Sequence, residues 1–453
     1  MIRNYVENIQ LYILLFTWVL IGAFAGPAAY VVIPITMLLL YNKNMYLELF
    51  IGFLFILMLS DSLDERVAFA KDLKNIYITL LTMFVLKDSA NFAPFNTLYK
   101  LFVPFFIFTF FTILLSFQDP FFATGMQKTV SYVLVFLIIP NLMLRLYREH
   151  GPYFFKTILY FCFFMLVVGF VLYFIAPHVS HLETGRYRGV MGNPNGLGLF
   201  CLLVFIIFFV VNYYFTELFS KLERVIIYVA ILFSIYLTDS RSAIFAIMIF
   251  YVFQKFFSFS PFIGFIVFLA TLVLYDVITA NFTSIILSLG LGDYFRVRTL
   301  EEGSGRYIAW EFAWKQIQHN FFIGKGFAYD EYYMRQNYGI LQKMGHQGGI
   351  HNSFLTFWFD HGLIGLLLYL RSYILMFIKA SRNTKYAFPI MFAISFTAMF
   401  ESWLIGSLSA YSFLALCIYT LISDTEFKNV ESDTPEDLLI SEDNPSYSKA
   451  VSE

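Results

Sequence analysis

The sequence carries little charge. Over 453 residues only 13% are Asp, Glu, Lys or Arg, whereas 59% are hydrophobic and the mean hydropathy is +0.70. Ordinary soluble domains contain roughly 25% charged residues. So little charge cannot cover a water-facing surface, which excludes a soluble globular protein. The formal net charge of −1 gives no reason to expect nucleic acid as a partner.

Cysteine is also scarce. The three cysteines, Cys162, Cys201 and Cys417, all lie inside apolar segments, and no two have the spacing of a metal-ligand pair. A disulfide framework would need pairs outside the membrane, so we interpret all three as inert thiols. No internal repeat is visible, which argues weakly against a transporter built from two related halves.

Long uncharged segments dominate the chain. A helix of about 20 residues crosses the roughly 30 Å core of a bilayer, whereas a membrane β-barrel shows short segments that alternate apolar and polar residues. The apolar segments here are continuous, as at 154–176 and 196–214. They predict an all-α, polytopic transmembrane bundle of about 12 to 14 spans, of which the last two are 386–403 and 406–422.

The polar parts of the chain divide it into four regions. Residues 281–350 are rich in Gly, Tyr and charge and predict one large loop domain between the transmembrane helices of 1–280 and those of 351–422. The acidic segment 423–453 lacks an apolar period and predicts a disordered cytoplasmic tail.

The short basic loops predict the orientation, because Lys and Arg concentrate on the cytoplasmic side of a membrane. Alternating spans place the loops 177–195, 239–241 and 281–350 together on the periplasmic side of an inner membrane, although Arg66, Lys71 and Lys74 do not fit this pattern. The residues placed on the cytoplasmic side are Lys43, Arg145, Arg148, Lys156, Lys221, Arg224, Lys379, Arg382 and Lys385.

Four polar clusters fall on the predicted periplasmic side, each at or near the end of a span. They lie at 186–196, 239–243, 303–306 and 351–355. Three of them contain arginine, which suggests a shared anionic ligand. A guanidinium group suits this role because it is always charged and can contact phosphate oxygens with two donors.

Arg241 and Arg306 each allow a simpler explanation. Arg241 lies in the short turn between two spans, from which it could reach lipid phosphates instead of a substrate. Arg306 begins a stretch in which Tyr307, Trp310 and Trp314 recur at helical spacing, which predicts an amphipathic helix lying on the membrane. A solvated loop charge is the alternative for Arg306.

The remaining clusters contain asparagine and histidine. Asn193-Pro-Asn195-Gly predicts a turn whose asparagines cap the next span, and the segment lacks the ending of a phosphate-binding loop. His351 opens a span, where a cap or a surface hydrogen bond is the simpler interpretation. Its spacing from His346 and His361 does not place three imidazoles on one helical face, so we predict no metal site.

Taken together, these motifs resemble the O-antigen ligase and polymerase family over about 180–410. In chain order they are Ser240-Arg241-Ser242-Ala243, Gly305-Arg306 with Trp310, Ile323-Gly324-Lys325-Gly326, His351-Asn352-Ser353-Phe354-Leu355 and Gly362-Leu363-Ile364-Gly365. Asp360 occupies a position where the family often has glutamate. Arg188, with Asn193 and Asn195, resembles the upstream element of the family.

The resemblance implies a GT-C type membrane glycosyltransferase that uses a polyprenyl pyrophosphate-linked glycan at the periplasmic face, without a metal or cofactor. It implies that Arg241 and Arg306 stabilise the leaving pyrophosphate and that His351 accepts the proton of the acceptor hydroxyl. The expected acceptor is lipid A core or another glycan, and membrane lipid is a further partner. The predicted substrate-binding residues are Arg186, Arg188, Asn193, Asn195, Asn352 and Asp360.

Three alternatives remain open at this point. The chain could be a polysaccharide polymerase or a protein O-oligosaccharyltransferase, which share these motifs. An exporter or flippase of an anionic lipid-linked glycan would also need arginines, yet it would use charge on both sides of the membrane and would not need a histidine base. A channel is disfavoured because the spans lack rings of charge.

Overall fold

The computed structural model describes residues 1–88, 96–183, 185–273, 287–288, 290, 306–346 and 348–427. Within these ranges the chain forms α-helices joined by short turns, without β-strands, which confirms the all-α prediction. The α-helices, numbered here in chain order, are α1 (Ile2–Glu7), α2 (Ile9–Ala25), α3 (Ala29–Asn42), α4 (Tyr46–Asp61), α5 (Ala70–Lys87), α6 (Thr97–Leu115), α7 (Phe122–His150), α8 (Tyr153–Ile175), α9 (Pro177–Ser180), α10 (Pro194–Tyr214), α11 (Lys221–Thr238), α12 (Arg241–Phe259), α13 (Pro261–Val273), α14 (Arg306–His319), α15 (Tyr329–Gln336), α16 (Tyr338–Lys343), α17 (Ser353–Ala380), α18 (Ala387–Ala398) and α19 (Ala410–Ser423).

Six helical segments among the described residues are long and apolar enough to cross a membrane. They are Ile9–Asn42, Thr97–Leu115, Phe122–His150, Tyr153–Ile175, Pro194–Tyr214 and Ser353–Ala380. The count of about 12 to 14 spans and the periplasmic position of 281–350 remain predictions. Most of the predicted acidic tail, from residue 428 onward, lies outside the described residues.

The apolar helices differ in how far the protein encloses them. Of the most apolar part of α10, 83% of the residues are buried, whereas the figure for the segment Ile9–Asn42 is 22%. α10 packs against α11, α12 and α19, so it is an inner helix of the bundle. The exposed Phe, Ile and Leu side chains of the outer helices match the apolar surface that lipid tails require.

One end of the bundle collects basic residues. At the start of α4 the hydroxyl of Tyr46 donates to Asp88, and Arg145 contacts the same carboxylate at 3.0 Å. Arg148, at the end of α7, pairs with Glu426 just beyond α19. These contacts bring two of the arginines assigned to the predicted cytoplasmic side to one end of the helices.

The opposite end of α4 meets the polar clusters. The carboxylate of Asp61 accepts hydrogen bonds from the backbone N–H of Gly192 at 2.9 Å and from the hydroxyl of Tyr411 at 2.7 Å. Gly192 belongs to the cluster at 186–196, and Tyr411 lies at the start of α19. The polar cluster at 186–196 and Arg145 therefore lie at opposite ends of α4.

Helix α17 is interrupted at Gly362, which adopts φ 71° and ψ 179°. A helix break leaves the N–H groups of the next turn without helical partners. Here the N–H groups of Leu363 and Ile364 donate to the carbonyls of Phe321 and Phe322, at 2.8 and 3.2 Å. A Cβ on Gly362 would lie 2.4 Å from the Phe322 carbonyl oxygen, so both the dihedral angle and the close approach require glycine.

The segment before α15 runs against the same break. The N–H of Gly326 donates to the carbonyl of Asp360 at 2.7 Å, and a Cβ on Gly324 would lie 2.2 Å from that carbonyl oxygen. The glycine motifs at 323–326 and 362–365 therefore serve one purpose. They bring two backbones together at Asp360.

Helix α14 spans Arg306–His319 in the described part of the chain. Its buried residues are Ala309, Ala313 and Ile317, and the helix packs against α17. Tyr307 and Trp314 point outward, with 58% and 39% of their surface exposed. The helix is therefore docked on the protein by its alanines, which leaves these two aromatic side chains available for the predicted contact with the membrane surface.

The span predicted at 386–403 ends earlier than expected. α18 has 12 residues and α19 has 14, so each is only about 18 to 21 Å long. The backbone between them is non-helical and holds Glu401. Irregular backbone in a membrane protein is stable where other protein atoms enclose it, and the contacts of Glu401 supply that environment.

We expect Gly362→Ala to destabilise the protein by about 1–3 kcal/mol, because alanine at this φ is strained and its Cβ would overlap the Phe322 carbonyl. Thermal unfolding of the purified protein in detergent measures the effect. The matched control is Gly339→Ala in α16, where a Cβ meets no atom within 4 Å. That control should be neutral or slightly stabilising, and equal melting temperatures for the two variants would contradict the role of Gly362.

Candidate functional site

The carboxylate of Glu401 joins three of the polar clusters. Its Oε1 accepts hydrogen bonds from Arg306 and from the side-chain amide of Asn195, both at 2.9 Å. Its Oε2 lies 3.3 Å from Nδ1 of His351. Arg306 starts α14, Asn195 lies in the first turn of α10, and His351 precedes α17. We call these four residues the Glu401 cluster.

The cluster is largely shielded from water. The side chains of Glu401 and Arg306 are 18% and 20% exposed, and that of His351 is 40% exposed. Burial raises the pKa of Glu401, but the hydrogen bond and charge of His351, the charge of Arg306 and the hydrogen bond of Asn195 outweigh it, so the pKa of Glu401 lies below its usual value. Glu401 is therefore a carboxylate at neutral pH.

The backbone holds the imidazole of His351 in one orientation. His351 has φ 52°, an uncommon value for a residue with a side chain. The next residue, Asn352, caps α17 by accepting the N–H of Leu355 at 3.0 Å, and its own N–H donates to Ser402 at 2.9 Å. The side chain of Asn352 therefore has a structural role, which is to cap the start of α17.

Both ring nitrogens of His351 face acceptors. Nδ1 faces Glu401, and Nε2 lies 3.0 Å from the carbonyl of Gly348. Two acceptors suit a doubly protonated ring. Nε2 can act as a base only when the ring is neutral and its one proton is on Nδ1. In addition, Nε2 would have to face a hydroxyl group in place of the Gly348 carbonyl.

Arg186 connects the cluster to the turn that carries Arg241. Its terminal nitrogen donates to the side chain of Asn195 at 3.0 Å and to the carbonyls of Thr238 and Asp239 at 2.8 and 3.3 Å. Arg241 begins α12 two residues after Asp239. These contacts favour a positioning role for Arg186, and its predicted contact with substrate remains a prediction.

Arg188 lies inside its own loop. Only 8% of it is exposed, and its guanidinium donates to the carbonyls of Val179 at 3.0 Å and Gly192 at 3.4 Å. Asn193 caps α10 by accepting the N–H of Gly196 at 2.7 Å, as the sequence predicted. These contacts favour structural roles for both residues, and substrate binding by either stays a prediction.

A cavity of about 220 Å³ opens beside His351. Asp360 lines it and is 1% exposed, with its carboxylate accepting the N–H of Asp330 at 2.8 Å. Asp330, Glu331 and Lys128 line the same cavity. Asp360 thus lines the same cavity as His351, with its carboxylate hydrogen-bonded to the backbone of Asp330.

The sequence motifs do not single out Glu401 or Asp61. Glu401 could have been identified from the sequence, because it is the only charged residue between Lys385 and Asp424. A charge in an apolar segment is usually functional. Asp61 ends an apolar helix and gave no comparable signal. Its role is visible only through the loop and the tyrosine that it holds.

Comparison with known proteins confirms the resemblance. Residues 226–370 match the family model of O-antigen ligase. This matched segment, called the O-antigen ligase domain below, is the part of the chain that is similar to the family. The O-antigen ligase domain contains Arg241, Arg306 and His351, whereas Asn195 and Glu401 lie outside it. No curated protein sequence matches the chain.

The O-antigen ligase domain and the apolar helices together support a membrane protein that transfers glycans by ligase-type or polymerase-type chemistry. Such a family implies a lipid-linked glycan and an acceptor as the general classes of substrate. The domain reaches the rest of the site through Arg306 and His351, which contact Glu401.

We expect Glu401→Gln to lower stability by about 1–3 kcal/mol, because Arg306 and His351 would lose the charge of their shared partner. Since the folded pKa of Glu401 is lowered, this charge stabilises fully above the ordinary value of 4.5 and is lost as the pH falls through the lower folded value. Thermal unfolding in detergent should therefore show a stability difference between wild type and variant that is present at about pH 6 and shrinks below about pH 4.5.

The matched control is Glu311→Gln on α14, which removes an exposed carboxylate paired only with Lys315 on the protein surface. It should leave the melting temperature almost unchanged, because an exposed ion pair contributes little to stability. Equal losses of stability in the two variants would contradict the central role of the Glu401 charge. A stability difference between wild type and Glu401→Gln that persists at the lowest pH would also contradict it.

Proposed function

We propose that the chain is a membrane glycosyltransferase that moves a glycan from a polyprenyl pyrophosphate donor to an acceptor hydroxyl of lipid A core at the periplasmic face of the inner membrane. The observation that carries the proposal is the Glu401 carboxylate, which links a candidate base, His351, to a candidate cation for the leaving group, Arg306. A transferase needs both functions within one site.

In the proposed reaction, Nε2 of His351 takes the proton of the acceptor hydroxyl. The freed oxygen forms a bond to the anomeric carbon of the donor glycan while the bond from that carbon to the pyrophosphate oxygen breaks. The leaving pyrophosphate keeps the electron pair. Glu401 holds Nδ1 of the ring, as the carboxylate of a catalytic triad does, and stabilises the imidazolium that forms.

Arg241 and Arg306 would take up the charge of the pyrophosphate. Arg306 contacts Glu401 through one terminal nitrogen, so further donors of its guanidinium group remain for phosphate oxygens. Arg241 lies at the first position of α12, where the helix N-terminus adds positive potential. Arg186 supports this arrangement by holding the turn before α12.

A polymerase or a protein O-oligosaccharyltransferase would perform the same step with a different acceptor. The Glu401 cluster does not distinguish among these acceptors, because it contains only groups that serve the donor and the proton. An acceptor panel in the transfer assay separates the three possibilities.

We expect Arg241→Lys and Arg306→Lys each to reduce transfer by at least about tenfold, because lysine keeps the charge but loses the two-pronged donor geometry. The assay uses purified protein in liposomes, with a polyprenyl pyrophosphate-linked glycan and an acceptor panel, and it identifies products by mass. Arg335→Lys, at an exposed position of α15, is the matched control. Full activity of both test variants would favour contact with lipid phosphates instead.

We expect His351→Ala to reduce turnover by about 10² to 10⁴-fold while donor binding changes little, because a general base contributes about this much. His351→Gln keeps a hydrogen-bonding side chain but cannot take up the proton, so it should be equally inactive. His319→Gln, at an exposed position, is the control in the same assay. Full transfer by His351→Gln would rule out the base, and loss of donor binding would make His351 a pyrophosphate ligand.

A further inference from the structure

The cavity beside His351 has the size of a small binding site. Its volume of about 220 Å³ far exceeds the roughly 10–15 Å³ that one buried water needs. It falls below the roughly 300–1,000 Å³ of sites that enclose whole drug-sized ligands. One sugar ring is a suitable occupant, whereas a longer stretch of glycan would have to extend outside.

The walls of the cavity carry acidic groups. Glu331 forms an ion pair with Lys128, which leaves Asp330 and Asp360 as the two cavity carboxyl groups outside that ion pair. Burial raises the pKa of Asp330 to about 6, Lys128 opposes this shift and Glu331 adds to it. A pair of adjacent carboxyl groups that shares a proton near neutral pH can both accept and donate hydrogen bonds.

The arginines of the site do not line this cavity. His351 does, together with Ser402, while Arg306 contacts the carboxylate of Glu401. The single negative charge that Asp330 and Asp360 share near neutral pH would repel a pyrophosphate, whereas the guanidinium groups would attract it. The acidic cavity and the arginines that would bind pyrophosphate are therefore in separate parts of the site. The imidazole of His351 borders both parts.

We infer that this cavity is the acceptor subsite and that it receives one terminal sugar bearing hydroxyl or ammonium donors in preference to an acidic or phosphorylated sugar. The inference rests on the proposed function. Carboxyl groups accept hydrogen bonds from sugar hydroxyls, and hydrogen bonds to charged groups are stronger than neutral ones. A hydroxyl held at the His351 wall of the cavity would replace the Gly348 carbonyl as the partner of Nε2.

Two substitutions test the inference by different means. Ile405→Phe fills the cavity without changing its charge, since Ile405 lines it, and Asp330→Asn removes one charge from its wall. Each should raise the acceptor KM by about tenfold while the donor KM stays unchanged. The matched control for the first is Ile364→Phe, an exposed position on α17, which should leave both KM values unchanged.

Competition in the liposome transfer assay tests the class of sugar. Methyl glucoside and methyl glucosaminide should inhibit wild-type transfer at lower concentrations than methyl glucuronide, and Asp330→Asn should narrow this difference. Equal inhibition by all three glycosides, or unchanged acceptor KM values in both cavity variants, overturns the inference alone. Absence of transfer by wild type with every acceptor overturns the proposed function as well.

Discussion

The shielded carboxylate of Glu401 is the interaction on which the arrangement of the site depends. A charge in a site of low water content is stable only when opposite charges and hydrogen-bond donors surround it. Here those partners come from the starts of α10, α14 and α17. Because a single carboxylate satisfies all of them, these three helix ends must converge, and the Glu401 cluster is the result.

The membrane imposes the second constraint. Apolar helices can expose their side chains to lipid, but their polar residues must find partners at the ends or inside the protein. α4 runs from the Tyr46 contacts with Asp88 and Arg145 to the Asp61 contacts with Gly192 and Tyr411. Asp61 thus supports the loop that leads into α10, although it lies far from the O-antigen ligase domain in sequence.

Close backbone contacts shape the region around the cavity. Gly324 and Gly362 allow the segment before α15 to lie directly against the break in α17, where a side chain at either position would overlap a carbonyl group. The break places Asp360 next to Asp330. The same glycines that make the motif recognisable therefore position the carboxyl groups of the proposed acceptor subsite.

Hydropathy and local motifs are enough to predict an all-α membrane protein and its resemblance to the O-antigen ligase family. Hydropathy depends on composition along the chain, and the motifs around Arg241, Arg306 and His351 are local strings. The sequence also identified Asn193 as a cap, since capping needs only neighbouring residues.

The grouping of the polar residues, in contrast, depends on the tertiary structure. The contacts of Asn195 and His351 with Glu401 span 206 and 50 residues, and no local pattern encodes such pairs. The structure also turned Arg186 and Arg188 toward backbone carbonyls and placed Asp360 in the cavity that His351 lines. Each of these outcomes depends on which helix ends meet, and packing among the helices determines that.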